Sequence, residues 1–295
     1  MSSQATVVFD APGPRGRALS RVVGLVGALL CLAVAAVLIW ALRKQLLVAD
    51  KWRPFTEVSA WRDYVLPGLW QTIKAAGLSV ITAGVVGVLL GVGRLSHVKV
   101  ISLVSGVLVE FFRSVPVLVM MFFFYFLFLQ SGALSGDALP FASVVLGLTF
   151  YNGSVIAELI RSGVHSLPKG QREAGWAIGL TRDQTLWSVL LPQAITAMLP
   201  SLLSQLVVVL KDTALGYIVT YPDLLRSLTT FASNNSNILA SLIVAAVIYI
   251  AINYALTSLA GWVETKVRTR RAGRAVAAGA VPVPAAGTAG PGSTH

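Results

Sequence analysis

Cysteine, histidine and nucleotide-binding motifs are scarce or missing in this sequence, and each scarcity excludes a kind of chemistry. The chain has one cysteine, Cys31, so it can build neither an internal disulfide nor a cysteine metal cluster. Its histidines, His97, His165 and His295, fall in predicted loops or the tail and form no metal-binding pair. A phosphate-cradling Gly-x-x-x-x-Gly-Lys-Ser/Thr loop is also missing. We therefore expect no catalytic residue, metal or cofactor on this chain, and no hydrolysis of ATP by the chain itself.

Charged residues are few and apolar residues are many. The chain is 56% hydrophobic and 12% charged, a composition typical of polytopic membrane proteins and not of soluble domains. A net charge of +11 would suit a nucleic-acid-binding protein, but the basic residues fall at the ends of apolar runs. In that position they hold loops against anionic lipid headgroups. The composition therefore predicts a membrane protein whose partner is lipid and not nucleic acid.

The apolar residues fall into about six runs, most of them near the roughly 20 residues that a bilayer-spanning helix needs. The first run is too long for a signal peptide, the alternative interpretation, and no small-residue cleavage site follows it. Residues 100–113 precede the third run and are predicted to lie along the membrane surface, with a bend at Pro116. The predicted fold is all-α, with about six transmembrane helices. The predicted spans are residues 18–42, 66–92, 114–130, 139–162, 193–220 and 237–263.

The distribution of basic residues predicts the orientation of these spans. More Lys and Arg residues fall on the side that holds the N-terminus, so both termini are expected in the cytoplasm; the basic loop 43–63 is the exception. The expected organisation is a flexible cytoplasmic N-terminus (1–17), an extra N-terminal transmembrane helix (18–42), an extracytoplasmic loop (43–63), a membrane core (64–266) and a basic, then disordered, cytoplasmic tail (267–295).

A polar stretch, residues 168–192, interrupts the apolar chain. Its charge density would not be accepted in a bilayer core, so it is expected in water. Gly179 favours a bend, and Thr181 with Gln184 has capping-box spacing, so the pattern predicts a pair of short helices, the second ending at Pro192. An ordinary loop with interfacial helices fits the same pattern.

The same stretch resembles the cytoplasmic EAA loop of ABC importer permeases. The family pattern is Glu-Ala-Ala, then Gly, then Leu-Pro; here Gly175 stands where the family usually has Ala. The longer frame, which begins at Pro168 and continues past Pro192 into Gln193 and Ala194, is similar to the subgroup that imports polar amino acids such as histidine, glutamine and glutamate. The matching residues are Gly170, Glu173, Ala174, Gly175, Gly179, Leu191 and Pro192.

The resemblance implies a type I ABC importer permease (MetI-like) architecture in a bacterial cell membrane. In that family the EAA helices dock in a cleft of a separate cytoplasmic ATPase dimer, which holds ATP and Mg, and alternating access moves the substrate. Glu173 would then provide polar docking and Gly179 the bend. An extracytoplasmic binding protein and a second permease, identical or homologous, are also implied. The Ala, Gly and Arg richness and the added first span resemble the glutamate permeases of high-GC Gram-positive bacteria.

Polar side chains inside the fourth and fifth predicted spans mark a candidate substrate pathway. Lys211, Asp212 and Thr213 resemble the family's Lys-Asp-Thr-Ser-Leu element and fall towards the outer half of the membrane. Lys211 could attract the carboxylate of an amino acid and Asp212 its ammonium, or the two could neutralise each other. Tyr151 and Asn152 need a helix partner or a wet cavity at their depth, so they are further pathway candidates.

Oppositely charged residues with i, i+3 spacing predict structural ion pairs. Glu110 and Arg113 can pair on one helix face, and so can Glu158 and Arg161. Direct substrate contact is the alternative role for the first pair, since its stretch is similar to a recurrent Arg-Gly-Thr-Pro-Leu element of amino-acid importer permeases.

Two other classes of protein remain as alternatives. In an ion-driven secondary transporter or channel, Lys211 and Asp212 would be the coupling site, but that class normally shows internal repeats, and none is evident. An intramembrane hydrolase would need a nucleophile elbow or a histidine metal pair, which the sequence lacks.

Overall fold

The computed structural model describes residues 13–46 and 48–279, and within them every regular element is helical. The predicted all-α class is therefore confirmed for this part of the chain. The α-helices are α1 (Pro14–Leu46), α2 (Ala49–Trp52), α3 (Leu66–Leu95), α4 (Lys99–Ser114), α5 (Val117–Ser131), α6 (Ala138–Ser166), α7 (Lys169–Ala177), α8 (Arg182–Thr185), α9 (Leu191–Ala197), α10 (Leu199–Asp212), α11 (Leu224–Asn235) and α12 (Ile238–Gly279).

Several of these helices are long enough to cross a membrane. Among the described residues, 5 helical segments are long and apolar enough to span a bilayer. The number rises to 6 if the bent pair of α4 and α5 counts as one span. The bend between α4 and α5 is 100°. Val115 leaves the helical conformation because the ring of Pro116 disfavours it in the preceding residue. The chain thus bends sharply between α4 and α5, where the sequence predicts a bend.

Close packing between α3 and α6 forms the centre of the fold. A Cβ atom added to Gly87 would lie 2.7 Å from the Cβ of Ile156 and 3.0 Å from the carbonyl oxygen of Gly153. One added to Gly91 would lie 3.1 Å from the carbonyl oxygen of Ala157. Only glycine permits this approach, which strengthens dispersion contacts between helices in lipid.

Small residues in α3 do not all serve this contact. The sequence shows them along much of the helix, but an added Cβ on Gly77 or Gly84 would meet nothing within 4 Å. Composition alone therefore identifies a close-packing helix without identifying the face that packs.

One end of the core is formed by α3, α11 and α12. Gly68 of α3 lies against the backbone of Leu224, and the Leu224 amide donates a 3.0 Å hydrogen bond to the hydroxyl of Thr72. Val65, Leu224, Leu228 and Ala245 form a buried apolar cluster beside this contact. These contacts fix the segment that follows α10.

Several predicted boundaries need correction. Helix α1 already begins at Pro14, and the predicted loop 43–63 contains α2, a 3₁₀ turn at Arg53–Thr56 and a π-helical turn at Ala60–Val65 that runs into α3. Helix α12 continues to Gly279, so the first part of the predicted disordered tail is helical. The Arg and Ala residues there are strong helix formers, which extends the helix beyond its apolar part. Residues 1–12 and 280–295 of the predicted flexible ends lie outside the described residues.

The predicted helix end at Pro192 is wrong. A π-helical turn at Leu186–Leu190 precedes the proline, and α9 continues through it to Ala197. Pro192 lies in the first turn of α9, where its missing N–H leaves no intrahelical bond unmade. The chain breaks at Met198 instead, because Pro200 begins the next helix in the same way.

Candidate functional site

Residues 168–192, here called the polar arm, contain α7 and α8 and the sharp bend between them. Gly179 has φ +84°, a left-handed conformation that glycine adopts without a Cβ penalty. The amide of Leu180 donates to the carbonyl of Gly175 at 3.1 Å, and the amide of Gly179 donates to that of Trp176 at 3.0 Å. This bond pattern is a Schellman motif, which ends α7 and fixes the bend predicted at Gly179.

The second helix of the arm begins with the predicted capping box. The amide of Gln184 donates to Thr181 Oγ1 at 3.3 Å, and the amide of Thr181 donates to Gln184 Oε1 at 2.9 Å. These two bonds give acceptors to backbone amides that would otherwise stay unpaired at the start of α8. The arm is therefore a structured element whose shape follows from its own sequence.

The polar arm has a buried face and an exposed face. Leu186, Leu190 and Leu191 are buried and pack against Ile160 and Val164 of α6. Glu173 and Ala174 are exposed, as are the large side chains of Trp176, Ile178 and Trp187. Apolar and acidic groups thus lie together on a surface that the described chain leaves uncovered.

The predicted docking residues divide between these faces. Gly170, Glu173, Ala174, Gly179 and Pro192 are exposed, whereas Gly175 and Leu191 are buried. The first set is available to a partner, and the second holds the arm to the membrane helices and to itself.

The charged residues predicted to form ion pairs lie in one cluster between α3, α4 and α6. Arg161 donates to Glu158 at 2.6 Å, and Arg113 lies 3.8 Å from Glu110 and 3.5 Å from Glu158. Arg94 of α3 lies between them, 3.2 Å from Glu110 and 2.5 Å from Glu158. Arg94 was not predicted as a member from the sequence, because its partners are far along the chain and no spacing rule relates them.

A pair of amide side chains joins the middle of α6 to α10. Asn152 is fully buried; its Nδ2 donates to the Leu148 carbonyl at 3.0 Å, and its Oδ1 accepts from Gln205 Nε2 at 3.3 Å. Gln205 supplies the helix partner that a polar side chain at this depth needs. Tyr151, the neighbouring pathway candidate, is half-buried.

Lys211, Asp212 and Thr213 face different surroundings at the end of α10. Lys211 is exposed and lines a groove between α10 and α12 together with Glu264. Asp212 is half-buried, and Thr213 is buried with its hydroxyl donating to the Leu210 carbonyl at 2.7 Å. The three residues are adjacent, but they do not present their side chains to a single enclosed pocket.

A buried carboxylate beyond α10 was missed by the sequence analysis. Asp223 is fully buried and caps α11: its Oδ1 accepts from the Arg226 amide at 2.9 Å and its Oδ2 from the Tyr249 hydroxyl at 3.2 Å. Burial raises the pKa of Asp223 to about 6, against the opposing effect of these hydrogen bonds. Tyr221 is also buried and donates to the Gln71 carbonyl at 2.8 Å. An aspartate before an apolar helix was the available signal, since it is a common N-cap.

These features define a class of protein. It is a helical membrane protein with several spans and a structured polar arm between two of them. Residues 83–269 match the family model described as binding-protein-dependent transport system inner membrane component, and the chain belongs to that family. It is therefore a multi-pass membrane permease component of an ABC importer, a class that works with an ATPase and a binding protein.

Curated relatives share this class. The chain is 50% identical over 230 residues to the glutamate transport system permease protein GluD of Corynebacterium glutamicum, covering 78% of this chain and 84% of the relative. It is 32% identical over 216 residues to the probable glutamine ABC transporter permease protein GlnP of Bacillus subtilis, covering 71% and 98%. The resemblance on which the sequence analysis relied is thus confirmed.

Solved structures share the fold. A crystal structure of an amino acid ABC transporter with histidines matches with a TM-score of 0.63 and 28% identity over 68% of this chain and 93% of the other. The inward-facing MetNI methionine ABC transporter matches with a TM-score of 0.58 and 22% identity over 70% and 97%, which shows the fold alone. The predicted MetI-like architecture is therefore confirmed.

Proposed function

We propose that this chain is the permease of an ATP-driven importer that moves a polar amino acid, glutamate before others, into the cytoplasm by alternating access. The observation that carries the proposal is the 50% identity to a glutamate permease over 78% of the chain. The chain supplies the membrane path, and ATP and Mg bind to the partner ATPase.

In this proposal the polar arm receives the movement of the ATPase and passes it to the membrane helices. Its exposed face, which includes Glu173 and Trp176, docks on the ATPase dimer. Its buried face packs on α6 through Leu186 and Leu190. The Schellman motif and capping box make the arm stiff, so a displacement at the exposed face reaches the membrane helices instead of being absorbed within the loop.

The charge cluster keeps the moving helices together. Arg94 joins α3 to Glu110 of α4 and to Glu158 of α6, and its side chain is largely buried. A buried charge that loses its partner is strongly unfavourable, so these helices are expected to move as a unit at this end. Glu110, Arg113, Glu158 and Arg161 are therefore assigned to structure and not to substrate contact.

The pathway is assigned to the faces of α6 and α10. Exposed Lys211 attracts the carboxylate groups of the substrate, and Asp212 and Thr213 lie beside it. Half-buried Tyr151 lines the deeper part, and fully buried Asn152 holds α6 against α10 beside it through the hydrogen bond from Gln205. Amide and hydroxyl groups suit an amino acid, which needs hydrogen-bond partners once it leaves water.

The same family membership supports the rest of the proposed assembly. A second permease, identical or homologous, completes the path, and a binding protein delivers substrate to the outer face, where α11 lies. The excess of basic residues on the side of the arm supports a cytoplasmic position for the arm and both termini in a bacterial cell.

Co-purification tests this assignment. The chain is expressed with the ATPase and binding protein encoded beside it, and ATP hydrolysis by the purified complex is measured with a panel of glutamate, glutamine, aspartate, histidine and arginine. We expect stable association with the ATPase and the strongest stimulation by glutamate. Absence of any associated ATPase contradicts the importer, and stimulation by another amino acid alone contradicts glutamate.

A further inference from the structure

A hydrogen bond connects the polar arm to the turn between α3 and α4. His97 lies in that turn, and its Nδ1 is 3.1 Å from Oδ1 of Asp183, in the first turn of α8. An ionised carboxylate can only accept, so the Nδ1–H group of the imidazole donates. The chain connects the arm directly to α6 and α9 but not to α4, so any movement passed from the arm to α4 must cross a non-covalent contact.

The surroundings of this bond give it a specific role. His97 and Asp183 both line a cavity of about 400 Å³ whose wall also includes Arg94, Trp176 and Arg182. Beside the cavity, Leu95 packs on the apolar cluster that contains Leu186. Apolar packing is non-directional and permits sliding, whereas a hydrogen bond weakens steeply when its angle changes. Packing of Leu95 on this apolar cluster therefore keeps the arm close to the turn before α4, and the hydrogen bond between His97 and Asp183 fixes their relative orientation.

From His97 the connection continues into α4. Arg94, on the last turn of α3, lies 3.2 Å from Glu110 of α4. Both Arg94 and His97 also line the groove along α4 that extends to Ser114, next to the 100° bend before α5. A shift of Asp183 thus reaches the bent helix pair through two polar contacts, one at His97 and one at Arg94 three residues earlier.

We infer that His97 and Asp183 are positioning residues that pass movement of the polar arm to the turn before α4, a route that acts in addition to the one through α6 and the charge cluster. The inference rests on the proposed function. In this role neither residue needs to contact ATP or the substrate. Their effect is on how much transport each cycle of ATP hydrolysis produces.

Exposure of the pair separates this role from a structural one. The side chains of His97 and Asp183 are 50% and 60% exposed. Exposed pairs add little to folding stability, so loss of this one should leave the protein folded. A coupling contact of ordinary strength changes the linked equilibrium by about fivefold or more. Loss of this hydrogen bond is therefore expected to change the coupling of ATP hydrolysis to transport without changing folding stability.

The test uses the full importer, with its ATPase and binding protein, in proteoliposomes, and measures amino acid transported per ATP hydrolysed. His97→Ala and Asp183→Ala should each lower this ratio about fivefold while ATP hydrolysis and thermal stability stay close to wild type. The double variant should be no worse than either single variant, because both remove the same bond. His97→Asn should restore the ratio, since its amide nitrogen can occupy the position of Nδ1, whereas His97→Gln should not.

His165→Ala is the matched control, because His165 is an exposed histidine that lines the same cavity. Its ratio should equal that of wild type. An unchanged ratio in both alanine variants would overturn the inference, and so would an equal fall in hydrolysis, transport and thermal stability, which indicates a structural role. Failure of the wild-type complex to transport with ATP would overturn the proposed function, and the inference with it; the wild-type measurement thus separates the two failures.

Discussion

Gly175 lies directly against Thr185, and this contact joins the two helices of the polar arm. A Cβ atom on Gly175 would be 2.6 Å from Thr185 Cγ2 and 2.9 Å from its Oγ1. Thr185 is buried, and its hydroxyl donates to the Thr181 carbonyl at 2.8 Å, so it has little freedom to move away. The glycine that departs from the usual family pattern is therefore a requirement of this arm.

The first prediction concerns that contact. Gly175→Ala should destabilise the arm by about 1–3 kcal/mol through overpacking, reduced by the roughly 1 kcal/mol that alanine adds to helix stability. Adding Thr185→Ser removes the nearest methyl group and should recover much of the loss. Thermal unfolding of the purified variants measures both effects. Wild-type stability in the single variant would show that the helices have room to separate.

The local parts of this arrangement were predictable from the sequence. The capping box at Thr181 and the bend at Gly179 depend on residues a few positions apart, and the apolar runs identify the spans by length. The expected helix end at Pro192 was wrong because proline is compatible with the first turn of a helix, and a pattern of residues does not show which turn it occupies.

The long-range parts were not predictable. Arg94 contacts Glu158, Gln205 contacts Asn152 and Tyr249 contacts Asp223, each pair joining parts of the chain that are far apart in sequence. Each pair depends on which helix faces meet, and helical periodicity does not specify this when most faces are apolar. The same limitation explains why the small residues of α3 indicated close packing without indicating its side.

The second prediction concerns docking on the exposed face of the arm. Glu173→Lys should abolish ATP-driven uptake without preventing membrane insertion, because the side chain lies in water and its charge is reversed at the partner surface. Uptake and the amount of membrane-inserted protein are measured together. Glu57→Lys makes the same charge change on an exposed residue before α3 and should transport normally. Normal uptake by the Glu173 variant would exclude a docking role.

The third prediction concerns Lys211. Lys211→Ala should raise the KM for substrate-dependent transport about tenfold, equivalent to roughly 1.4 kcal/mol, while association with the ATPase is unchanged. Lys211→Arg retains the positive charge and should lie between the alanine variant and wild type. Initial uptake rates over a range of substrate concentrations measure the effect. Unchanged kinetics in the alanine variant would assign Lys211 to structure alone.

The fourth prediction concerns the pH dependence of stability at Asp223. Because burial raises its pKa from 3.8 to about 6, the folded protein binds a proton that the unfolded chain has released over this range. Its contribution to stability is therefore greatest below pH 4, falls as the pH rises, and levels off above pH 6. Asp223→Asn keeps a capping oxygen and removes the titration.

Thermal unfolding between pH 4 and 8 tests this prediction. The variant should gain stability relative to wild type as the pH rises, by about 2–3 kcal/mol in total. A difference between the two proteins that does not vary with pH would show that Asp223 titrates normally in the folded state.

The fifth prediction concerns the source of energy, and its measurement is the most direct test of the account. Proteoliposomes containing this chain, its partner permease and its ATPase are loaded with ATP, and labelled glutamate with the binding protein is added outside. We predict accumulation of glutamate that stops when a non-hydrolysable ATP analogue replaces ATP and that continues when ionophores collapse all ion gradients. Accumulation that needs an ion gradient and proceeds without ATP would contradict the account and assign the chain to secondary transport.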